Sequence, residues 1–568
     1  MSMISWDTAQ RETETGGRVR TYTDLVPVFP DQTEWTLATV LRHHAARRPD
    51  AVFLDLPEED ATFTFAQCLE QAESVADRLA EAGAQPGDRV LVMAANSSQF
   101  LRTWLGTGLG GTVEVPVNTA YEGMFLSHQL VTAAPRWAVV DDVHVPRFLA
   151  IADDARVVER FWVIDTGSRE SALAQLREAG WAAAPWEDLA QGARPGAAPD
   201  TPAPHSQASI FFTSGTTGPS KGVAMPHAQM YFFGQEVVSL QRLTAEDVYF
   251  TCTPLFHGNA QFMAAYPALI AGCRLVCRPR FSASRWVDQL RHSQVTVTNL
   301  IGVMMDFIWK QPARTDDADN RLRSVFAAPT ASSILAGFRE RFGVDSFVEV
   351  FGLTETSAPI LSPYGEDRPA GAAGLLAADW FEVRLVDPET DREVPTGEIG
   401  ELVVRPRYPW TCSLGYHGMP DKTAEAWRNL WFHTGDALRQ DADGWFYFVD
   451  RYKDALRRRG ENISSYEVEQ GLLAHDAVTE CAVIAVAADA EAGEDEVMAY
   501  LVLSHDVDPA QLWDFCTGRI PAFAVPRYLR IVDQLPKTPS ERVQKAQLRA
   551  LGITPDTHDR LSAPAGVR

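Results

Sequence analysis

Apolar residues recur every three to four positions in two early stretches. Between 35 and 50, Leu37, Val40 and Leu41 share one helical face and Pro49 closes the run; between 63 and 83 the set Phe65, Cys68, Leu69, Ala72, Val75, Ala76 and Leu79 keeps the same period. That period predicts two amphipathic helices. Short apolar runs at 90–93, 113–117, 137–140 and 210–212 read as buried strands, with a further helix over 97–110. Strands alternating with helices predict parallel α/β layers. An Ala/Pro/Gly-rich connector spans 191–207. After residue 380 the pattern changes to short alternating strands at 381–386, 400–404 and 445–449, with Asp/Gly turns, which predicts a small β-rich subdomain. A polar break at 450–454 follows, then a helix near 465–474, strands at 478–486 and 498–503, and a helix near 509–519. The predicted fold class is therefore α/β: a large N-terminal domain over 1–449 of stacked α/β layers plus the β-rich subdomain, a boundary at 450–453, and a small α+β domain over 454–568.

Composition narrows the class. A chain of 568 residues exceeds what one core supports, and 46% apolar with 22% charged residues is ordinary for a globular protein. No run reaches the eighteen or so apolar residues of a membrane-spanning helix, and the N-terminus lacks the basic start and apolar core of a secretory signal. Seven cysteines without CxxC spacing read as reduced core residues in a cytoplasmic protein and argue against zinc. The net charge of −24 repels nucleic acid and anionic membrane alike. A polyanionic ligand must therefore meet a local basic patch, and the dense one is Arg451, Lys453 and the triplet Arg457, Arg458, Arg459 beside Gly460.

The richest chemistry lies at 213–222, Thr-Ser-Gly-Thr-Thr-Gly-Pro-Ser-Lys-Gly, directly after the apolar run at 210–212. Gly215, Gly218 and Gly222 let the backbone turn tightly and bring N–H groups to an anion. Thr213, Ser214, Thr216 and Thr217 add hydroxyl donors and magnesium ligands, and Lys221 adds charge. The pattern cradles phosphate without being a Walker loop, which ends in Gly-Lys-Ser/Thr and runs directly into a helix.

Further short motifs follow in order: Pro-Leu-Phe-His-Gly at 254–258, Phe-Gly-Leu-Thr-Glu at 351–355, Phe-His-Thr-Gly-Asp at 432–436, Asp-Arg-Tyr-Lys-Asp at 450–454, Gly-Glu-Asn-Ile at 460–463 and Pro-Lys-Thr-Pro-Ser-Glu-Arg-Val-Gln-Lys at 536–545. In this order and spacing, over roughly 35–549, the chain resembles the adenylate-forming superfamily of acyl-CoA synthetases, peptide-synthetase adenylation domains and beetle luciferases. The resemblance implies a large nucleotide-binding domain and a mobile C-terminal lid. It implies a carboxylic acid, ATP with Mg2+, and coenzyme A as partners, through an acyl-AMP intermediate. By position, Thr213, Ser214, Gly215, Thr216, Thr217 and Lys221 would hold phosphates, with Thr217 and Glu355 at the metal. Phe351 and Gly352 would meet adenine, Thr354 the AMP phosphate, and Asp436, supported by Arg451, the ribose. His257 would gate the acyl and thiol pockets, Lys453 would be the hinge, and Gly460 with Arg457, Arg458 and Arg459 would admit the pantetheine arm and its phosphates.

The last motif departs from the family pattern Gly-Lys-Ile/Val-x-Lys. With Lys545 on the final basic position, the adenylation lysine is Arg542 and its preceding glycine is Glu541. Arginine keeps the charge and loses the compact ammonium geometry. The expectation is an enzyme competent in thioester formation and deficient in adenylation, with a separate adenylating enzyme as supplier. A complete ATP-dependent synthetase, in which Arg542, Lys545 or Lys537 serves adenylation, and an acyl-AMP ligase loading a carrier protein are the alternatives. A non-catalytic nucleotide-binding regulator is a third, which intact Glu355 and His257 oppose. Small residues Gly258, Gly302, Ala327, Ala328, Gly352 and Ala358, with Met304, Met305 and Phe256, predict room for a bulky hydrophobic acid. The acid itself, a place in secondary metabolism and the oligomeric state are not legible.

Overall fold

The computed structural model describes residues 8–12, 18–23, 25–191, 196, 201–213, 220–328, 330, 334–451, 456–458, 461–463, 465–487, 495–516, 520, 524–537 and 543–562. Their strands form three seven-stranded sheets, a four-stranded sheet and two two-stranded ribbons. The first large sheet runs Lys221–Pro226, Gln207–Thr213, Val113–Pro116, Arg89–Met93, Trp137–Asp141, Arg160–Ile164, Ala182–Pro185, parallel except for its first strand. The second runs Ser346–Val348, Ser324–Ala327, Val297–Leu300, Val248–Thr251, Arg274–Cys277, Val52–Leu56, Ala61–Thr64, parallel except for its last.

Between them lie helices that the hydrophobic period anticipates. Leu37–Arg47 starts on Thr36, whose side chain accepts from the Thr39 N–H, and Phe65–Glu81 starts on a capping box of Thr64 and Gln67. Ser98–Gly110 packs on the second of these so closely that a Cβ at Gly106 would fall 2.3 Å from Val75 Cγ1. His227–Leu240 is buried at every position, including His227, Gln229, Gln235 and Glu236. A helix apolar or buried all round sits inside a core, and its residues share one hydrophobic cluster with strands from all three large sheets.

The third sheet is antiparallel: Val350–Leu353, Ser357–Leu361, Ala372–Leu376, Phe446–Arg451, Phe432–Gln440, Ile399–Pro406, Phe381–Val386. The β-rich part therefore begins near 350, not after 380. Its first strands escape the period-2 reading because Ser357–Leu361 is buried on both faces and carries no alternation. A hairpin of Thr8–Glu12 and Arg18–Tyr22, absent from the sequence reading, abuts this sheet through the Arg20 N–H to the Asp443 carbonyl at 3.1 Å. The four-stranded sheet, Val478–Ala487, Asp495–Leu503, Tyr528–Ile531, His558–Asp559, packs with helices Ser465–Leu473 and Pro509–Cys516 around a separate core, the expected α+β unit. All seven cysteines are buried and unbridged. No helix among the described residues is long and apolar enough to cross a membrane.

Candidate active site

The strands Gln207–Thr213 and Lys221–Pro226 pair antiparallel, with Thr213 opposite Lys221. They hold the two ends of the phosphate-type loop together; the Thr213 hydroxyl donates to the Lys221 carbonyl at 3.4 Å. Loop positions Ser214, Gly215, Thr216 and Thr217 lie outside the described residues. A strand, not a helix, follows the loop, consistent with its departure from the Walker pattern. The outer edge of Lys221–Pro226 receives the segment 413–417: Leu414 N–H donates to the Ala224 carbonyl at 2.8 Å, Ala224 N–H to Gly415 at 2.9 Å, and His417 N–H to Gly222 at 2.7 Å.

That edge pairing places Tyr416. Its ring lies 4.2 Å from Lys221 Nζ, a cation–π contact, and its hydroxyl donates to Glu355 Oε1 at 2.9 Å. Glu355 sits in the turn between Val350–Leu353 and Ser357–Leu361 and is only 8% exposed. The turn is pinned at two points: Ser413 N–H donates to the Glu355 carbonyl at 2.8 Å, and Gln229 Nε2 to the Thr354 carbonyl at 2.9 Å. Thr354, Glu355, Tyr416 and Lys221 thus form one continuous group at the mouth of the loop. A carboxylate oriented by a phenol could serve as one ligand of a hard divalent cation, though the described residues hold no cluster of three His, Cys, Asp or Glu side chains. Phe351, half-buried, stacks on Phe448 at 6.0 Å between ring centroids. At Gly352 a Cβ would approach the Ser357 carbonyl to 2.4 Å, so the hairpin itself demands glycine there.

Asp436 lies in Phe432–Gln440, 2% exposed, and the register sets it opposite Arg451 on Phe446–Arg451. The preceding turn hangs on Glu401, which accepts from the Gly435 N–H at 3.0 Å, lies 3.0 Å from His433 Nδ1 and pairs with Arg428 Nη2 at 3.2 Å. Gly435 takes a φ of +71°, which the Thr-Gly-Asp sequence supplies without strain.

His257 is half-buried with its ring 4.7 Å from Phe256. Its N–H closes a turn onto the Pro254 carbonyl at 3.0 Å. Buried Asn96 ties the turn down: its side chain accepts from Leu255 N–H at 2.7 Å and donates to the carbonyls of Thr253 at 2.9 Å and Arg278 at 3.0 Å. Of the small and adaptable residues, Met304, Met305 and Ala327 belong to the core beside the second sheet. Asp306 pairs with Lys310 at 2.7 Å near the surface.

In the C-terminal unit, Lys545 Nζ reaches Glu469 Oε1 at 2.8 Å and the Ser465 hydroxyl at 2.5 Å. Lys537 Nζ pairs with Glu480 Oε1 at 2.7 Å. Arg457 and Arg458 lie on Leu456–Arg458, which pairs with Glu461–Ile463. Lys453, Arg459, Gly460, Glu541 and Arg542 lie outside the described residues. Sequence reasoning missed Tyr416, Gln229, Glu401 and Asn96. Each acts through a partner far along the chain, and no local pattern marks any of them.

A parallel α/β body thus carries a segment whose ends are closed by strand pairing, with a lysine–tyrosine–glutamate group beside it. The chain belongs to the AMP-binding enzyme family: residues 41–417 match the AMP-binding enzyme model and residues 467–542 its C-terminal domain. It is an acyl-CoA synthetase/ligase-class enzyme. It is 30% identical over 504 residues to a crotonobetaine/carnitine–CoA ligase of Salmonella paratyphi C (strain RKS4594), covering 86% of this chain and 93% of that one. Among solved structures it is similar to the anthranilate CoA ligase AuaEII in complex with anthranoyl-AMP, with a TM-score of 0.78, 25% identity, and coverage of 91% of this chain and 97% of that one. It is also similar to ATP-bound MatB from Rhodopseudomonas palustris, with a TM-score of 0.76 and 26% identity, covering 91% of this chain and 99% of that one.

Proposed function

We propose that this enzyme converts the acyl-adenylate of a bulky hydrophobic carboxylic acid to its coenzyme A thioester, and that its own adenylation step is slow or is supplied by a partner enzyme. In the first half-reaction a carboxylate oxygen attacks the α-phosphorus of ATP and the bond to pyrophosphate breaks. In the second, the thiol sulfur attacks the acyl carbon and AMP leaves. Glu355, oriented by Tyr416, would hold Mg2+ with Thr217, and the ion would offset phosphate charge. Lys221 and Thr213, with residues 214–217, would hold the phosphates and Thr354 the AMP phosphate. Asp436 and Arg451 would hold the ribose beneath Phe351 and Gly352. Residues 454–568 would act as the lid, turning at 450–453 about Lys453, with Gly460, Arg457, Arg458 and Arg459 along the thiol's path and His257 at the gate.

The observation that carries the slow-adenylation reading concerns the lysines on either side of Arg542. Lys537 is paired with Glu480 and Lys545 with Glu469 and Ser465 inside their own unit. Both ammonium groups are engaged by carboxylates of that unit, which supports assigning adenylation to Arg542 beside Glu541. Losing a well-placed ammonium costs about 3–4 kcal/mol, or ~10²–10³ in rate. The acid's apolar character rests on composition: no Lys or Arg occurs at 257–262, 301–306, 327–332 or 352–359 to pair a second carboxylate. Seven buried thiols support a reducing, cytoplasmic setting. The test compares ATP–pyrophosphate exchange with thioester formation from a synthetic acyl-adenylate. Exchange as fast as thioester formation would overturn the slow-adenylation reading and leave a complete synthetase.

A further inference from the structure

A small cavity among the helices has a wall that includes Trp104, Glu114, His227 and Tyr266. All four are at most 2% exposed. Each carries a buried polar atom with no hydrogen-bond partner among the described residues: Trp104 Nε1, Glu114 Oε2, His227 Nε2 and Tyr266 OH. Four residues that carry such atoms therefore line one small cavity, and folded proteins seldom leave a buried polar atom unsatisfied. The cavity leaves about 10 Å³ for the centre of a water-sized molecule, which is room for one.

Glu114 also connects outward. Its Oε1 accepts from Gln261 Nε2 at 3.0 Å, and the same amide donates to the Leu255 carbonyl at 2.9 Å, in the turn that carries His257. Gln261 opens a π-helical turn, Gln261–Ala265, and its N–H returns to the His257 carbonyl at 3.4 Å. Such turns concentrate at functional sites because the extra residue re-aims what precedes them.

We propose that the cavity is a built site for one internal water, held by Trp104, Glu114, His227 and Tyr266, and that Glu114 acts through Gln261 as a positioning residue for the His257 turn. One water can bond all four atoms, with the Tyr266 O–H proton the one group left over. With Oε1 taken by Gln261, a protonated Oε2 donates to the water, Trp104 donates to it as well, and the water donates to His227 Nε2 and the Tyr266 oxygen. Burial pushes Glu114 up to about 8 and His227 down to about 4, which keeps both neutral at pH 7. The other titratable group on the wall, Tyr266, is also raised by burial. The positioning role rests on the proposed place of His257 in the reaction; the water site does not.

The experiment uses the full-length enzyme with Glu114→Gln and Glu114→Leu. A high-resolution crystal structure of the wild type should show one density peak within hydrogen-bond distance of at least three of the four atoms. A raised carboxyl pKa gives stability that is fully present below the unfolded value and falls as pH rises toward 8. The Tm of the wild type relative to Glu114→Gln should therefore drop between pH 5 and 8 and level off above. In thioester formation from a synthetic acyl-adenylate, Glu114→Gln should stay within about threefold of wild type, because the amide still accepts from Gln261. Glu114→Leu should lose at least tenfold in kcat with KM for coenzyme A unchanged. A dry cavity, or a Tm difference indifferent to pH, would overturn the water site even if Glu114→Leu fails to fold. Wild-type kcat in a folded Glu114→Leu would overturn the positioning role alone.

Discussion

Replacing Tyr416 by phenylalanine removes one hydroxyl and keeps the ring, so the cation–π contact with Lys221 at 4.2 Å and the strand-edge pairing of 413–417 survive. What is lost is the donor to Glu355 Oε1 at 2.9 Å. Both residues are 8% exposed, so bulk water does not readily replace it. A hydrogen bond to a charged group contributes about 1.5–3 kcal/mol. If Glu355 holds Mg2+, as proposed, removing its orienting partner should cost ~10–100-fold in metal affinity or activity. The assay is Mg2+ titration of ATP–pyrophosphate exchange, with acyl-adenylate-driven thioester formation as a control that needs no new phosphate bond cleavage. The half-saturating Mg2+ should rise by about tenfold or more while the control reaction moves less than threefold. Unchanged Mg2+ dependence in a folded variant would refute the assignment of Glu355, and equal losses in both reactions would mean that Tyr416 is structural.

Other expectations follow from the same geometry. Asp436→Ala should weaken AMP binding by ~10²-fold, about 3 kcal/mol, if its carboxylate accepts the ribose hydroxyls as proposed; calorimetric titration with AMP measures it. Glu236 is fully buried, takes the Ala358 N–H at 3.1 Å and has its pKa raised well above the usual carboxylate range by burial. Its stabilising contribution is full below the unfolded value and is lost as pH rises, so Glu236→Gln should raise the Tm, with a gap that widens from pH 5 upward. Arg542→Lys should speed pyrophosphate exchange by about tenfold or more and leave thioester formation from acyl-adenylate within about threefold.

Elements with a strong local period were legible from sequence to within a few residues. The helix expected over 63–83 is Phe65–Glu81, and the strand expected over 478–486 is Val478–Ala487. The division of the antiparallel sheet was not, because Ser357–Leu361 is buried on both faces and its partner strand carries Gly352 for a backbone contact rather than for packing. At the site, strand register sets Asp436 opposite Arg451, and Thr354 and Glu355 share one turn; their roles are those proposed above. Residues that hold that turn were invisible, since Tyr416 reaches Glu355 across 61 positions and Gln229 reaches Thr354 across 125. No alternation or spacing encodes such contacts; they exist only once strands have paired.

The most direct measurement offers the full-length protein a panel of hydrophobic acyl-adenylates with coenzyme A, and in parallel the free acids with ATP, Mg2+ and coenzyme A, and detects thioesters by mass. At least one adenylate should yield its coenzyme A thioester, at a rate ~10²-fold or more above that from the matching acid and ATP. Failure of every adenylate, with nucleotide binding intact, would contradict the delivery of an activated acyl group to sulfur by this fold.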